Sequence, residues 1–400
     1  MTARPMFRVF ASGFAPAMLL LGAALCLAQQ DDWQGVERIV VVGDVHGDYD
    51  NYMEVLKQAG IVNKRGRWTG KKTHMVQLGD IPDRGPDTAR AMRHLMKLET
   101  QARRAGGRVH VLIGNHEAMN MLGDLRYVHP GEFKALKSSR ASSLRENYFE
   151  RVRNYLASQD PEADLGDAFR DQWMSEHPLG YIEHRQHWNP AGEFGAWVVE
   201  HNTLLRINRT LFVHAGVSPA MLGRSISEIN EQVRAELAST EPGPRELADA
   251  EDGPLWYRGL ASGEETPELA AHLDAALEAF DVDRIVVGHT PGFATVVPRY
   301  DGRFLVADSG ISAYYGGYQV SLLIEGDDVY TIQRGTGVPI PGNDEELLDY
   351  FRRIDEIQPE VNNVRFMIRK LEAQAAGIDF GVDPNNPVDP NDPAKPAEQP

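Results

Sequence analysis

Residues 38–48 read Arg-Ile-Val-Val-Val-Gly-Asp-Val-His-Gly-Asp, a β-branched apolar run that stops at a glycine and passes at once to Asp44, His46 and Asp48. A short continuous apolar run bounded by a turn reads as a buried strand. Working outward, a helical stretch from about Tyr49 to Ala59 is followed by a basic, Gly-rich turn region over 64–72 and a second apolar run from His74 to Leu78. Pro86 opens a helix to about Arg104, the pair Gly106-Gly107 ends it, and a third run extends from Arg108 to Ile113. Strand, loop and helix alternate, which predicts an α/β layered architecture.

The polar residues begin where the apolar runs stop. Gly43-Asp44-Val45-His46-Gly47-Asp48 follows the first run, Gly79-Asp80-Ile81-Pro82-Asp83-Arg84-Gly85 the second, and Gly114-Asn115-His116-Glu117 the third. Later, Phe212-Val213 leads into His214-Ala215-Gly216, and Ile285-Val286-Val287 into Gly288-His289-Thr290. The C-terminal ends of strands in α/β sheets are where ligands bind. A histidine after one strand is ordinarily a capping or hydrogen-bonding residue. Five such clusters in series, each with a glycine that permits close backbone approach, point instead to one shared site. Imidazole and carboxylate donors without sulfur suit Mn²⁺, Fe or Zn²⁺, and two such ions would clamp a phosphoryl group and lower the pKa of a bridging water.

Between about Asn120 and Val199 the chain is charged and helical in character, which predicts an inserted helical cap. Strand character returns at 203–207, 211–214 and 284–287, then at 295–297, 304–306, 319–324 and 329–332. The second half is therefore expected to be mainly β, with two sheets packed face to face. Glu345 to Arg353 and Val361 to Ala376 read as short outer helices, and the acid-rich run Glu241 to Asp252 as a solvated linker. From Gly381 the Pro/Asn/Asp-rich tail cannot bury a core and is expected to be disordered.

Among 400 residues the formal net charge is −17. That balance argues against a nucleic-acid partner and requires any phosphate chemistry to rest on a local positive site. Arg4 and Arg8 precede an apolar stretch from Phe14 to Ala28, the shape of a secretory signal peptide cleaved after Ala28. The stretch is short for a membrane-spanning anchor, so a periplasmic or secreted protein is expected, without stable membrane insertion after cleavage. Cys26, the one cysteine, lies in this leader. The mature chain would then have no disulfide, no thiolate-held zinc and no cysteine nucleophile.

The series GDVHG, GDIPDRG, GNHE, HAG and VGHT, spread over Ile39 to Thr290, resembles the metal-dependent phosphoprotein phosphatase (calcineurin-like metallophosphoesterase) superfamily. The long insert, the leader and the segment Asp308-Ser309-Gly310-Ile311-Ser312 resemble its bacterial Shewanella-like branch. The resemblance implies a four-layer fold, a central β-sandwich flanked by helices, over about 36–340, followed by C-terminal helices over 341–380. It also implies two divalent metal ions, manganese first among the choices, with Asp44 and His46 on one, Asp80 bridging, and Asn115, His214 and His289 on the other. His116 would protonate the leaving oxygen, oriented by Asp83, while Arg84 and Asn115 would bind the phosphate and Arg258 is the candidate for a second phosphate clamp. The expected substrate is a phosphorylated protein or peptide (Ser/Thr, Tyr or both) hydrolysed by metal-activated water. The alternatives are an exported small-molecule phosphoesterase, such as a dinucleoside tetraphosphate hydrolase, and a non-catalytic metal-dependent binding module. Trp256 and Tyr257 read as core or cleft wall, His74 and His110 as buried or paired, and His129, His184 and His187 as surface residues of the insert.

Overall fold

The computed structural model describes residues 30–241, 243–359 and 361–378; the leader and the Pro/Asn/Asp-rich tail lie outside them. Twelve strands are described: β1 (Asp32–Trp33), β2 (Arg38–Val42), β3 (His74–Gln77), β4 (Arg108–Val111), β5 (Leu204–Ile207), β6 (Thr210–Val213), β7 (Arg284–Val287), β8 (Val297–Arg299), β9 (Phe304–Val306), β10 (Val320–Glu325), β11 (Asp328–Gln333) and β12 (Thr336–Pro339). They form two six-stranded sheets, ordered β12-β11-β10-β2-β3-β4 and β1-β5-β6-β7-β9-β8. Each contains a parallel trio, β2-β3-β4 in one and β6-β7-β9 in the other. Period-2 alternation assigns the faces. Ile39 and Val41 join Val76, Leu78, Phe212, Val286 and Leu322 between the sheets, whereas Val40 and Val42 face the outer helices. Both faces of β2 are buried, which explains why its sequence is continuously apolar.

The helices are α1 (Tyr49–Gln58), α2 (Thr88–Arg104), α3 (Asn115–Leu122), α4 (Pro130–Leu136), α5 (Ala141–Gln159), α6 (Asp167–Glu176), α7 (Tyr181–Trp188), α8 (Glu193–Val198), α9 (Ile226–Ala238), α10 (Pro267–Phe280), α11 (Leu347–Ile357) and α12 (Asn362–Ala375). The chain between β4 and β5 is helical, α3 through α8. None of the described helices is long and apolar enough to cross a membrane.

The second half departs from the mainly β expectation through α9 and α10. Their signals are local: Ser225 caps α9 and pairs with Glu228 while Ile229, Val233 and Leu237 bury one face, and Thr266 caps α10 with Pro267 in its first turn. The strand expected at 295–297 forms at Val297–Arg299 instead. Thr295 is withdrawn to bond Tyr350 of α11, so α11 is part of the core through Tyr350, Phe351 and Ile354 and is no outer appendage. The acid-rich run is anchored at its centre as well, because the Glu236 carboxylate accepts from the amides of Leu247 and Ala248, both buried. His184 lies fully buried against Phe133 and not on the surface, since α7 packs its face on α4.

His74 and His110 face each other at 3.0 Å beside Trp33. Burial, and then the neighbouring Arg108, push His74 down to about 4; burial, then His74 and Arg108, push His110 down to about 3. Both folded values lie below that of a free imidazole, so the unfolded chain binds more protons as pH falls. Stability present above about pH 6.5 is then lost on acidification towards 4, by up to about 1.4 kcal/mol per pH unit for His110 and by less for the more solvated His74. The urea midpoint of chelator-treated protein should fall between pH 6.5 and 4.5, less steeply in His110→Gln. Equal slopes in the two proteins would remove this pair as the cause.

Candidate active site

The C-terminal ends of both parallel trios meet at one edge of the sandwich, and the clusters that follow them converge there. The Asp80 carbonyl accepts from the Val45 and His46 amides, and the Ile81 carbonyl from Gly47. Glu117, buried, accepts from the amides of Asp80, Ile81 and Gly114, tying the loop after β3 to the start of α3. Two glycines allow this approach. A Cβ on Gly114 would meet Asp80 Oδ1 at 2.3 Å, and one on Gly288 would meet Asp44 Oδ1 at 2.4 Å. His46, Asp80, Asp83, Arg84 and His289 all have left-handed φ values between 46° and 73°. Each such non-glycine residue stores on the order of 1 kcal/mol of strain, a pattern that concentrates at functional sites.

Asp80 is the hub. Its Oδ1 lies 3.3 Å from His214 Nε2, and its Oδ2 lies 3.8 Å from both His46 Nε2 and His116 Nε2. Asp44 Oδ2 is 3.9 Å from His46 Nε2. Asn115 Oδ1 sits 2.9 Å from His214 Nε2, whose Nδ1 is held by the Leu78 carbonyl at 2.7 Å. Two overlapping groups could each hold a cation, His46-Asp80-His116 and Asp80-His214-His289, with all ligand atoms of a group within 4.8 Å of one another. His289 Nε2 is buried without a hydrogen-bond partner, an orphan that a cation would satisfy. Asp44 and Asp308 are neighbours here, and burial raises both carboxyls, Asp308 to about 6. For Asp80 burial acts upward too, but His214 and His116 outweigh it and hold the carboxyl well below its ordinary range. So many buried carboxylates and imidazoles around one point fit divalent cations.

His116 stands beside this group in a different role. Its Nδ1 lies 2.5 Å from Asp83 Oδ2, and Asn120 donates to Asp83 Oδ1 at 2.9 Å. Burial alone would lower this imidazole, yet Asp80 and Asp83 prevail and raise it. Arg84 projects to the rim between Tyr127 and Tyr314, 3.8 and 4.8 Å from their ring centroids, and donates to the Tyr314 hydroxyl at 3.2 Å. Arg258 reaches the same centre from the opposite wall, donating to the His289 carbonyl at 2.6 Å and the Thr290 hydroxyl at 3.1 Å.

The predicted site residues Asp44, His46, Asp80, Asp83, Arg84, Asn115, His116, His214, Arg258 and His289 therefore lie at or beside one buried cluster, whereas Asp48 caps α1. Asp308 and Glu117 stand in the quoted sequence segments without a role assigned to them, and Asn120 stands in none of the motifs. Each had a readable position: Asp308 follows the end of β9, and Asn120 lies one helical turn after His116, on the same face of α3.

A sandwich whose parallel strands deliver carboxylates and imidazoles to one edge, beside a His–Asp pair and two arginines, defines a metal-dependent phosphoesterase. The chain belongs to the calcineurin-like phosphoesterase family, whose profile matches residues 37–293. An uncharacterized protein of Schizosaccharomyces pombe is 35% identical over 74% of this chain and 79% of its own length. Shewanella-like protein phosphatase 2 of Arabidopsis thaliana is 29% identical over 71% and 73%. Among solved structures, the cold-active protein-tyrosine phosphatase of a psychrophilic Shewanella species superposes with a TM-score of 0.60 at 28% identity, covering 78% of this chain and 82% of that one.

Proposed function

We propose that this hydrolase is a manganese-dependent protein phosphatase that removes phosphate from tyrosine, and from serine or threonine less rapidly. The aromatic frame around Arg84 carries the reading. Tyr127 and Tyr314 hold the guanidinium between their rings, and the Tyr315 ring lies 5.2 Å from that of His46. A phosphoryl group gripped by Arg84 would have its ester substituent among these rings, where an aryl group gains contact that an alkyl group does not. The names of the Arabidopsis relative and of the Shewanella structure support the same reading.

The metal pair, when bound, supplies positive charge and lowers the pKa of a coordinated water. Asp44, His46, Asp80, Asn115, His214 and His289 would hold it. Hydrolysis forms a P–O bond to water and breaks the bond to the side-chain oxygen. Arg84 and Arg258, with Asn115, bind the phosphoryl oxygens and oppose the charge that develops on them. His116, its Nδ1–H held by Asp83, delivers the Nε2 proton to the departing oxygen.

Initial rates with added Mn²⁺ on matched phosphotyrosine and phosphothreonine peptides, and on a dinucleoside tetraphosphate, test this. A ring contact contributes about 0.5–1.5 kcal/mol, so kcat/KM should favour phosphotyrosine by up to about tenfold. Turnover of the nucleotide alone would replace the reading with a small-molecule phosphoesterase, and no turnover of any of the three with a binding module. We also propose export by the leader. N-terminal sequencing of protein made in a secreting host should begin at Gln29, and an intact Met1 would refute it.

A further inference from the structure

A cavity of about 420 Å³ opens in the helical cap between α5, α7 and the turn after α7. That size lies within the range of small-ligand sites. Tyr148 and Arg151 line it from α5, Tyr181, Arg185 and Gln186 from α7, and Asn189 from the turn; no acidic side chain among the described residues does. This is an exception on a chain of net charge −17. The nearby acids of α5 are engaged elsewhere, Glu146 with Arg170 and Glu150 with Arg153. Arg151 rests over the Tyr148 ring and has no ion-pair partner among the described residues. Arg185 likewise has no carboxylate partner among them, and desolvation lowers its pKa.

Arg185 also reaches the catalytic machinery. Its guanidinium donates to the Asn120 carbonyl and, at 3.2 Å, to the Met121 carbonyl at the C-terminal end of α3. The Asn120 side chain donates to Asp83, which holds His116. One arginine thus forms a wall of the cavity and braces the helix that carries His116. We propose that the cavity binds a small planar carboxylate, gripped by Arg151 and Arg185 with its body between the Tyr148 and Tyr181 rings, and that occupancy alters turnover through Arg185.

The chemistry selects this class. Guanidinium groups pair with carboxylates through parallel N–H donors, phenol rings accept a flat apolar body, and the absence of a lining acid disfavours a cation. An anion here would compensate two arginines that have no ion-pair partner among the described residues, one of them partly desolvated. Two of the five N–H donors of Arg185 are engaged by the α3 carbonyls, which leaves the others for a ligand. A ligand that draws on the same guanidinium shifts the end of α3, and with it the alignment of His116, so kcat should respond more than KM.

The test is calorimetric titration of the metal-loaded enzyme with benzoate, followed by steady-state rates at saturating benzoate. Wild type and Asp80→Asn should bind alike. Arg151→Gln, which touches no part of the active site, should bind at least tenfold more weakly with an unchanged basal rate. In wild type, kcat should change by at least about twofold at saturation while KM holds, and Arg151→Gln should show no change. No saturable binding at millimolar benzoate would overturn the site. So would binding retained in Arg151→Gln but lost in Asp80→Asn, which would place the acid at the metals. Binding without any effect on kcat would overturn the coupling. These outcomes do not depend on which phosphoester is the natural substrate, since p-nitrophenyl phosphate reports the rate.

Discussion

Asp80→Asn should lower kcat/KM on p-nitrophenyl phosphate by more than about 100-fold, with the fold intact. Replacing a residue that only supports a metal ligand commonly costs about 10–100-fold, and Asp80 is the one side chain common to both candidate cation groups. The substitution keeps the volume and one carbonyl oxygen, so the acceptor for the His116 amide, 2.9 Å from Oδ1, can survive. What is lost is a full negative charge within 3.8 Å of three imidazoles. Elemental analysis after dialysis should show less metal per chain than in wild type, and circular dichroism should be unchanged. A variant with full metal content and more than a tenth of the activity would remove Asp80 from the centre of the site.

His116→Asn is expected to show an effect that depends on the leaving group. If His116 donates a proton to the departing oxygen, its loss should slow hydrolysis of an alkyl phosphomonoester by about 10²–10⁴-fold. The loss should be much smaller for p-nitrophenyl phosphate, whose phenolate departs without protonation. Asn is smaller than His but can keep an amide N–H where Nδ1 stood beside Asp83, so burial of that carboxylate without a partner is not the dominant change. A plot of log kcat against leaving-group pKa should be steeper for the variant than for wild type. Equal losses across the series would leave His116 as a ligand or a structural residue and exclude the proton-donor role.

Much of the site is legible in the amino-acid sequence because its signals are local. A glycine marks the end of four of the five apolar runs, at Gly43, Gly79, Gly114 and Gly288, while His214 follows Val213 directly; in each case the next polar residues are at the sheet edge whatever the rest of the chain does. Asp44, His46, Asp80, Asn115, His214 and His289 can be assembled from that rule and the family resemblance. Asp308 obeys the same rule after β9, but one acid after a three-residue strand carries little signal until Asp44 is seen opposite. Arg258 has no strand end to mark it. Only the packing of its loop against His289 and Thr290 brings it to the cluster.

The α/β layering, the buried character of β2, the oxygen and nitrogen donor chemistry and the lack of any cysteine beyond Cys26 can all be read from the linear chain, since each depends on residue type and on neighbours a few positions away. Only long-range packing sorts the strands into two six-stranded sheets in their observed order, brings α11 into the core through Tyr350, and frames Arg84 with Tyr127 and Tyr314. It also decided that Arg185 joins the cap to α3. These contacts link residues tens to hundreds of positions apart, and their partners are chosen by shape and by competition for burial, which a linear pattern of apolar and polar residues does not encode.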